Sequence, residues 1–305
     1  MSKNEKSFFT GDENGNLIQR CILNKKKYNY GQILYSISDF KHHPNQHDVF
    51  LCGRGFKANF GGHQMVQFSL KERKIVKSFG EVQSHSSDVP IQSYPEKLAV
   101  TSDAKYIYVA TTLGFLKKYS IETGNLVKDF GQIFGKVSLL KSFKLTPDNK
   151  YLIALTQDCK LFKFSLQDDE NINQICLNFR TKYNADSYTN SEMIITKDSK
   201  HLYFGIDSKI IKLNISLFKI VKEINVAEHG GTVWSLALTK CGKFLYCGTS
   251  FAKEELPETD AMLQEDLESL SDCSYSSDMS LSSYRGFEAN QPKGRLLKFE
   301  EKRGL

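Results

Sequence analysis

Short apolar runs separated by polar turns recur along the chain. Between Phe143 and Leu166, the positions from Tyr151 to Thr156 are almost continuously apolar, and apolar residues occur at every second position or closer from Leu161 to Leu166. The intervening Pro, Asp, Asn and Lys residues are typical of tight turns. This pattern predicts consecutive β-strands joined by short turns.

The same unit occurs several times. The sequence Thr-x-Asp-x-Lys precedes an apolar run three times, and a fourth copy has Cys241 in place of the aspartate. These turns start at Thr101, Thr146, Thr196 and Thr239, and a weaker copy surrounds His43. The steps between the five positions are 58, 45, 50 and 43 residues. A period near 40–45 residues is typical of the four-stranded blades of a β-propeller. We therefore expect an all-β fold, a β-propeller of about six blades, with seven as the alternative.

The apolar runs predict four complete blades and two incomplete ones. The complete blades are expected within residues 33–79, 98–130, 138–179 and 192–226. Residues 8–30 supply three strands and lack the first strand of their blade. The last blade starts at Val233, resumes at residues 294–300 and lacks its fourth strand. The sequence thus predicts a single propeller domain over residues 1–305 with 22 strands, where six full blades need 24.

An acidic, serine-rich segment interrupts the last blade. Residues 252–293 are dominated by Ser, Asp and Glu, and their composition predicts disorder. Nine acids and one base lie between Lys253 and Tyr284, so this stretch has a net charge of −8. Because the whole chain has a net charge of +6, the remainder has +14. Ser269 has Asp272 three residues later, which suggests an acidophilic-kinase site.

The composition limits the class of protein. The seven cysteines are scattered without Cys-x-x-Cys or zinc spacing, and no apolar run approaches about 18 residues. The polar N-terminus does not resemble a secretory signal. We expect a cytoplasmic protein, with a nuclear one as the alternative, that has no transmembrane segment, metal or cofactor. Lysines are expected singly at turns or on solvent faces of strands, and His42, His43, His47 and His63 in surface turns.

The segment from His229 to Ser250 resembles the WD-repeat family. It has His-x-Gly-x-Val before the first strand, Gly-Lys before the second and Gly-Thr-Ser at the end of the second. The chain departs from the family where Trp-Asp is expected at the ends of third strands. Those positions hold Tyr119-Ser120, Phe164-Ser165, Leu213-Asn214 and Phe299-Glu300. Of the family's buried polar network, only His229 has a counterpart. The sole tryptophan, Trp234, lies in a first strand and is expected in the core.

The resemblance implies a non-catalytic scaffold that binds other proteins, for instance within a multiprotein complex. Two kinds of loop share one propeller face: those between second and third strands, and those between a fourth strand and the next first strand. Aromatic residues beside arginine in these loops are typical of interface hot spots. The candidate partner-binding residues are Arg54, Phe56, Lys57, Phe60, Arg180, Tyr183 and Tyr188. The acidic segment is expected to modulate this face.

Two other functions stay open. A propeller hydrolase or lactonase needs acids, histidines or metal ligands that converge. The acids outside the insert mostly lie in turns, such as Asp103, Asp148 and Asp198, where turn chemistry explains them, so we expect no enzyme. The chain outside the acidic segment is basic and could bind nucleic acid or phosphoinositide. Binding of either ligand is disfavoured, because single lysines explain the charge and no paired-arginine motif for phosphoinositides is present.

Overall fold

The computed structural model describes residues 7–45, 47–54, 65–80, 94–134, 140–166, 174–179, 189, 191–229, 231–250 and 294–300. Within these ranges the chain forms 22 β-strands in six antiparallel sheets and one turn of 3-10 helix at Ala227–His229. No helix in the described ranges is long and apolar enough to cross a bilayer. The all-β prediction is confirmed.

The strands have the following bounds. The first sheet contains β1 (Ser7–Gly11), β2 (Asn16–Cys21) and β3 (Lys27–Gln32). The second contains β4 (Ser36–His42), β5 (Asp48–Arg54), β6 (Met65–Ser69) and β7 (Lys74–Ser78). The third contains β8 (Pro95–Val100), β9 (Tyr106–Thr111), β10 (Phe115–Ser120) and β11 (Leu126–Gln132). The fourth contains β12 (Leu140–Leu145), β13 (Tyr151–Thr156), β14 (Lys160–Ser165) and β15 (Gln174–Asn178). The fifth contains β16 (Ile194–Ile195), β17 (His201–Ile206), β18 (Lys209–Asn214) and β19 (Lys219–Asn225). The sixth contains β20 (Val233–Leu238), β21 (Phe244–Ser250) and β22 (Gly294–Glu300).

Each sheet is a meander, since strands that are consecutive in the chain are hydrogen-bonded neighbours. The three strands of the first sheet correspond to the second to fourth strands of the others. The N–H of Ile33 donates to Gly15 O after β3, and the N–H of Ile133 donates to Gly114 O after β11. The first sheet therefore lacks a first strand among the described residues, as predicted.

The repeated Thr-x-Asp-x-Lys sequence forms one specific turn between first and second strands. The hydroxyls of Thr101, Thr146 and Thr196 each donate to the aspartate two residues later at 2.6 Å. Each hydroxyl also accepts the N–H five residues later at 3.0 Å. The same aspartate oxygen accepts the lysine N–H at 3.0–3.1 Å. Turn chemistry therefore accounts for these three acids.

The second strand of the second sheet and that of the third sheet each lie between two hydrophobic cores. In β5, Val49 and Leu51 pack into the core shared with the first sheet. The alternate residues Phe50 and Cys52 pack into the core shared with the third sheet. Successive side chains of a strand point to opposite faces, so a strand buried on both faces is continuously apolar. This explains why the second strands gave the clearest apolar runs.

The described residues fall into two compact units. The first contains the sheets of β1 to β15, and the second contains those of β16 to β22 together with the turn at Gln157–Lys160. In the second unit, β17 and β20 pack closely. A Cβ atom on Gly205 would lie 2.4 Å from Val233 Cγ1, so only glycine leaves room for this approach.

The expected position of the lysines is wrong for two third strands. Lys118 is 4% exposed and Lys163 is 6% exposed. The ammonium of Lys118 lies 4.2 Å from the ring centroid of Tyr106, and that of Lys163 lies 5.0 Å from that of Tyr151. Lysine stems often pack on apolar surface, and an aromatic ring face attracts the charged end. These buried side chains therefore pack against aromatic rings of the neighbouring strand in their own sheets.

One predicted surface histidine is also partly in the core. His42 is the last residue of β4, and its ring centroid lies 4.8 Å from that of Phe9 in an edge-to-face contact. Burial, assisted by the positive charge of Lys41, lowers the pKa of His42 to about 4. The imidazole is therefore neutral at physiological pH. His43 keeps a turn role, because its Nδ1 accepts the Asn45 N–H at 3.0 Å.

Candidate interaction surface

We call the end of a sheet at which its first strand begins the entry end. The turn between the second and third strands lies at the same end. Hydrogen bonds join these two loops: the Thr112 N–H donates to Tyr94 O at 2.8 Å, and the Tyr94 N–H donates to Thr112 Oγ1 at 3.1 Å. In the sixth sheet, the Ser250 N–H donates to Thr232 O at 3.0 Å. The residues that precede β8 and β20 are thus held in place.

Four of the first strands contain a β-bulge at the same register position. In β4, β8, β12 and β20, one extra residue lies where two residues of the first strand oppose one of the second. These extra residues are Ser38, Glu96, Lys141 and Trp234. A bulge redirects a side chain and is common next to functional sites. Each first strand with a bulge therefore presents one chemically distinct side chain near its entry end.

The expectation that Trp234 lies in the core is wrong, since this side chain is 53% exposed. Strict alternation would place Trp234 on the same face as Leu236 and Leu238. The bulge between Val233 and Ser235 changes that parity, so Val233 is buried instead. Val233 is fully buried and its N–H donates to Asp207 O at 2.7 Å. The indole is therefore held on a fixed backbone with half of its surface in solvent.

The first unit has an exposed tyrosine at the entry end of its second sheet. Tyr35 directly precedes β4 and is 54% exposed. Its neighbour Leu34 is buried, and Leu34 O lies against the turn at Gly15. A Cβ on Gly15 would lie 1.7 Å from that oxygen, and Gly15 has a φ of +73°. The close approach therefore requires glycine, and it fixes the position of Tyr35.

Two carboxylates connect first strands of neighbouring sheets in the first unit. Asp39 is 1% exposed and accepts the Leu98 N–H of β8 at 2.9 Å. Burial raises the pKa of Glu96, while Lys97 and the Leu140 N–H of β12 oppose that shift. Both groups are engaged in holding adjacent strands together. Among the described residues, no group of three or more His, Cys, Asp and Glu side chains could hold a metal ion.

Most of the predicted partner-binding residues are not covered by the structure. Arg54 is the last residue of β5, at the entry end of the second sheet, and only its backbone is described. Phe56, Lys57, Phe60, Arg180, Tyr183 and Tyr188 lie outside the described residues. The acidic insert and Ser269 lie outside them as well. Their assignment to the interaction surface therefore stays a prediction.

The exposed aromatic residues that the structure adds are Trp234 and Tyr35. The sequence placed Trp234 in the core because it lies inside β20. Tyr35, directly before β4, belongs to no motif that marks it. The only irregularity in the sequence near Trp234 is that Val233 and Trp234 are adjacent apolar residues, which is equally typical of a strand buried on both faces.

The repeated four-stranded meanders define an all-β protein with the β-propeller fold. The described part of the chain forms six sheets, of which the first and the last have three strands there. Solved structures share this fold. The β-propeller domain of Myceliophteria thermophila Cps50 (Swd1) has a TM-score of 0.52 and 12% identity, over 69% of this chain and 62% of that chain. Kuenenia stuttgartiensis hydrazine synthase has a TM-score of 0.63 and 16% identity, over 82% of this chain and 79% of that chain.

These likenesses concern the fold alone, because the identities are low. The chain spans less than two thirds of the length of the Cps50 domain. No protein-family model matches the chain. No curated protein matches it either.

Proposed function

We propose that this protein is a non-catalytic, divergent WD-repeat-like scaffold that binds other proteins through the entry ends of its sheets. The observation that carries the proposal is Trp234, the sole tryptophan, displayed by a bulge with 53% of its surface exposed. Natural strands bury tryptophan on average, and tryptophan is enriched at the energetic centres of interfaces. A partner that covers Trp234 would recover this apolar surface from water.

The rigidity of the surface supports the same proposal. The Thr232–Ser250 hydrogen bond holds the residues before Trp234, and the equivalent Tyr94–Thr112 hydrogen bonds hold the residues before β8. Binding to a pre-organised surface costs less conformational entropy than binding to loose loops. The likeness to the Cps50 propeller domain is consistent with a binding role, although it shows the fold alone.

The proposal includes the loop residues predicted from the sequence, namely Arg54, Phe56, Lys57, Phe60, Arg180, Tyr183 and Tyr188. It also includes modulation by the acidic insert, with Ser269 as the proposed phosphorylation site, and a cytoplasmic or nuclear location. No specific observation favours a hydrolase, a lactonase, or a module that binds nucleic acid or phosphoinositide.

Affinity capture from extracts of the source organism tests the proposal. Wild-type protein and Trp234→Ala are compared, with Leu217→Ala as the matched control. Leu217 is 69% exposed and lies at the opposite end of the fifth sheet, in the turn between β18 and β19. We expect Trp234→Ala to lose partners that wild type and Leu217→Ala retain, with unfolding midpoints that agree for all three. Identical partners for all three proteins would contradict the assignment of this surface.

A further inference from the structure

Two turns of the second unit carry more positive charge than their counterparts. At the second position of the repeated turn, Lys197 and Lys240 stand where the first unit has Ser102 and Pro147. At the third position, Cys241 replaces the aspartate of the other turns. The turns of the first unit each pair one aspartate with one lysine. The two turns of the second unit together have four lysines and one aspartate.

These lysines form one surface, which we call the lysine patch: Lys197, Lys200, Lys240 and Lys243. All four side chains are exposed. The Lys197 ammonium donates a hydrogen bond of 2.9 Å to the Lys240 carbonyl oxygen, which brings the two turns together. The only acid of these turns, Asp198, accepts hydrogen bonds from Thr196 and Lys200 N–H. The patch therefore concentrates positive charge at one end of the fifth and sixth sheets.

The chemistry of the patch indicates the class of its ligand. Lysine ammonium groups are strongly hydrated, mobile point charges, whereas bidentate recognition of a single phosphate or carboxylate favours arginine. The lysine patch contains no arginine. A flexible peptide with many spaced carboxylates fits such a surface, because each lysine can find a nearby charge without fixed geometry. Clustered charge of one sign also attracts its ligand over a distance.

A segment of this chain has the complementary charge. Residues 253–279 contain nine acids and one base. The insert leaves the sixth sheet after Ser250 and returns at Gly294, and these two residues are paired neighbours. The lysine patch lies at the other end of the same sheet, beyond Phe244, at a distance of roughly 20 Å for a strand of this length. An extended segment of this many residues reaches several times farther.

We propose that residues 253–279 dock on the lysine patch of the same molecule. Tethering favours this ligand over a free acidic peptide, because a short linker gives effective concentrations in the millimolar range. Docking holds the insert at the end of the sheet that is opposite the entry end. The inference does not depend on the proposed function, since it concerns a contact within one chain.

Zero-length carbodiimide cross-linking of the full chain, read by mass spectrometry, tests the proposal. The reagent joins a carboxylate to an ammonium only when they are in contact. We expect cross-links from residues 253–279 to be concentrated at the lysine patch and to be lost in about 1 M salt, where the Debye length is about 3 Å. Cross-links spread equally over other lysines, such as Lys105 and Lys150, would overturn the proposal. So would cross-links found only between chains in a mixture of isotope-labelled and unlabelled protein.

A charge-reversed pair gives an independent check. In Lys197→Glu/Lys240→Glu, the cross-links to the two remaining patch lysines, Lys200 and Lys243, should fall severalfold. The control Lys105→Glu/Lys150→Glu changes two exposed lysines of the equivalent turns in the first unit. Cross-linking at Lys200 and Lys243 should be unaffected in this control. An equal loss in both variants would indicate a general charge effect and would refute specific docking.

Discussion

Thr239 Oγ1 lies 3.3 Å from Cys241 Sγ. In the other three repeated turns, the equivalent threonine hydroxyl donates a hydrogen bond to an aspartate. The thiol also receives the Lys243 N–H, and these donors lower the pKa of Cys241 below its ordinary value. In the other three turns the equivalent donors hold an aspartate carboxylate, so the same geometry stabilises the thiolate of Cys241.

We predict that Cys241 is alkylated faster at neutral pH in the folded protein than in the unfolded chain. The lowered pKa raises the fraction of thiolate, which is the reactive form. The rate of iodoacetamide labelling of Cys241 as a function of pH, followed by mass spectrometry, measures this. Thr239→Val should raise the pH at which the labelling rate of Cys241 is half-maximal. Thr196→Val, in the equivalent turn of the fifth sheet, should leave this pH midpoint unchanged. A midpoint equal to that of the unfolded chain would contradict the prediction.

Asp39 is expected to be important for the stability of the first unit. Its carboxylate accepts the N–H groups of Phe40 and Leu98 and pairs with the Lys41 ammonium at 2.9 Å. Asp39→Ala leaves the buried Leu98 N–H without its acceptor, which costs about 1–3 kcal/mol. Asp39→Ala should therefore lower the free energy of unfolding by about this amount, and Asp39→Asn by less, because one oxygen acceptor remains.

Urea denaturation measures the effect of Asp39. The control is Glu72→Ala, which breaks the 2.8 Å ion pair with Lys74 between exposed side chains. Exposed pairs contribute about 0–1 kcal/mol, so this variant should unfold nearly as wild type. Equal effects of Asp39→Ala and Glu72→Ala would show that the Asp39 contacts are energetically minor.

Stability should decrease in mild acid because of His42. Its pKa is about 4 in the folded protein, compared with about 6.5 in the unfolded chain. The unfolded state therefore binds a proton more readily. The stability associated with neutral His42 is complete above about pH 6.5 and is lost as the pH falls towards 4. Within the described ranges, the buried Nε2 has no hydrogen-bond partner that could hold an added proton.

Urea midpoints between pH 7 and 4 should show this loss, on the order of 2–3 kcal/mol at the acid end. In His42→Met this part of the pH dependence should disappear, while that from carboxylates remains. An NMR titration of the His42 ring gives the folded pKa directly. A midpoint near 6.5 would be inconsistent with the burial argument.

Gly205→Ala should destabilise the second unit by about 1–3 kcal/mol, since an added methyl would overlap Val233 Cγ1 at 2.4 Å. Val233→Ala should relieve only part of the overlap, because the Val233 Cβ would still lie 2.6 Å from the added methyl, so the double variant should be modestly more stable than the sum of the two single changes indicates. Thermal or urea unfolding of the four proteins measures this coupling. Strict additivity would show that Gly205 and Val233 do not constrain each other.

Local chemistry explains which features of the fold could be predicted. The turn at Thr146 depends on residues within five positions of one another, and its sequence recurs at the period of a blade. The apolar run of β13 reflects burial on both faces of the strand. Within such a repeat, an apolar run of this length indicates a strand of this kind. The candidate surface was harder to predict, since Trp234 owes its exposure to a bulge in paired strands.

The sequence by itself determined the all-β class, the order of the strands and the four repeated turns, because each depends on periodicity or on contacts between near neighbours. Only the tertiary structure decided that Trp234 faces solvent and that Lys118 is buried. The physical reason is that exposure depends on register and on the neighbouring sheet. One extra residue in a strand reverses the faces of the residues before it, and an aromatic ring such as that of Tyr106 makes burial of a lysine favourable.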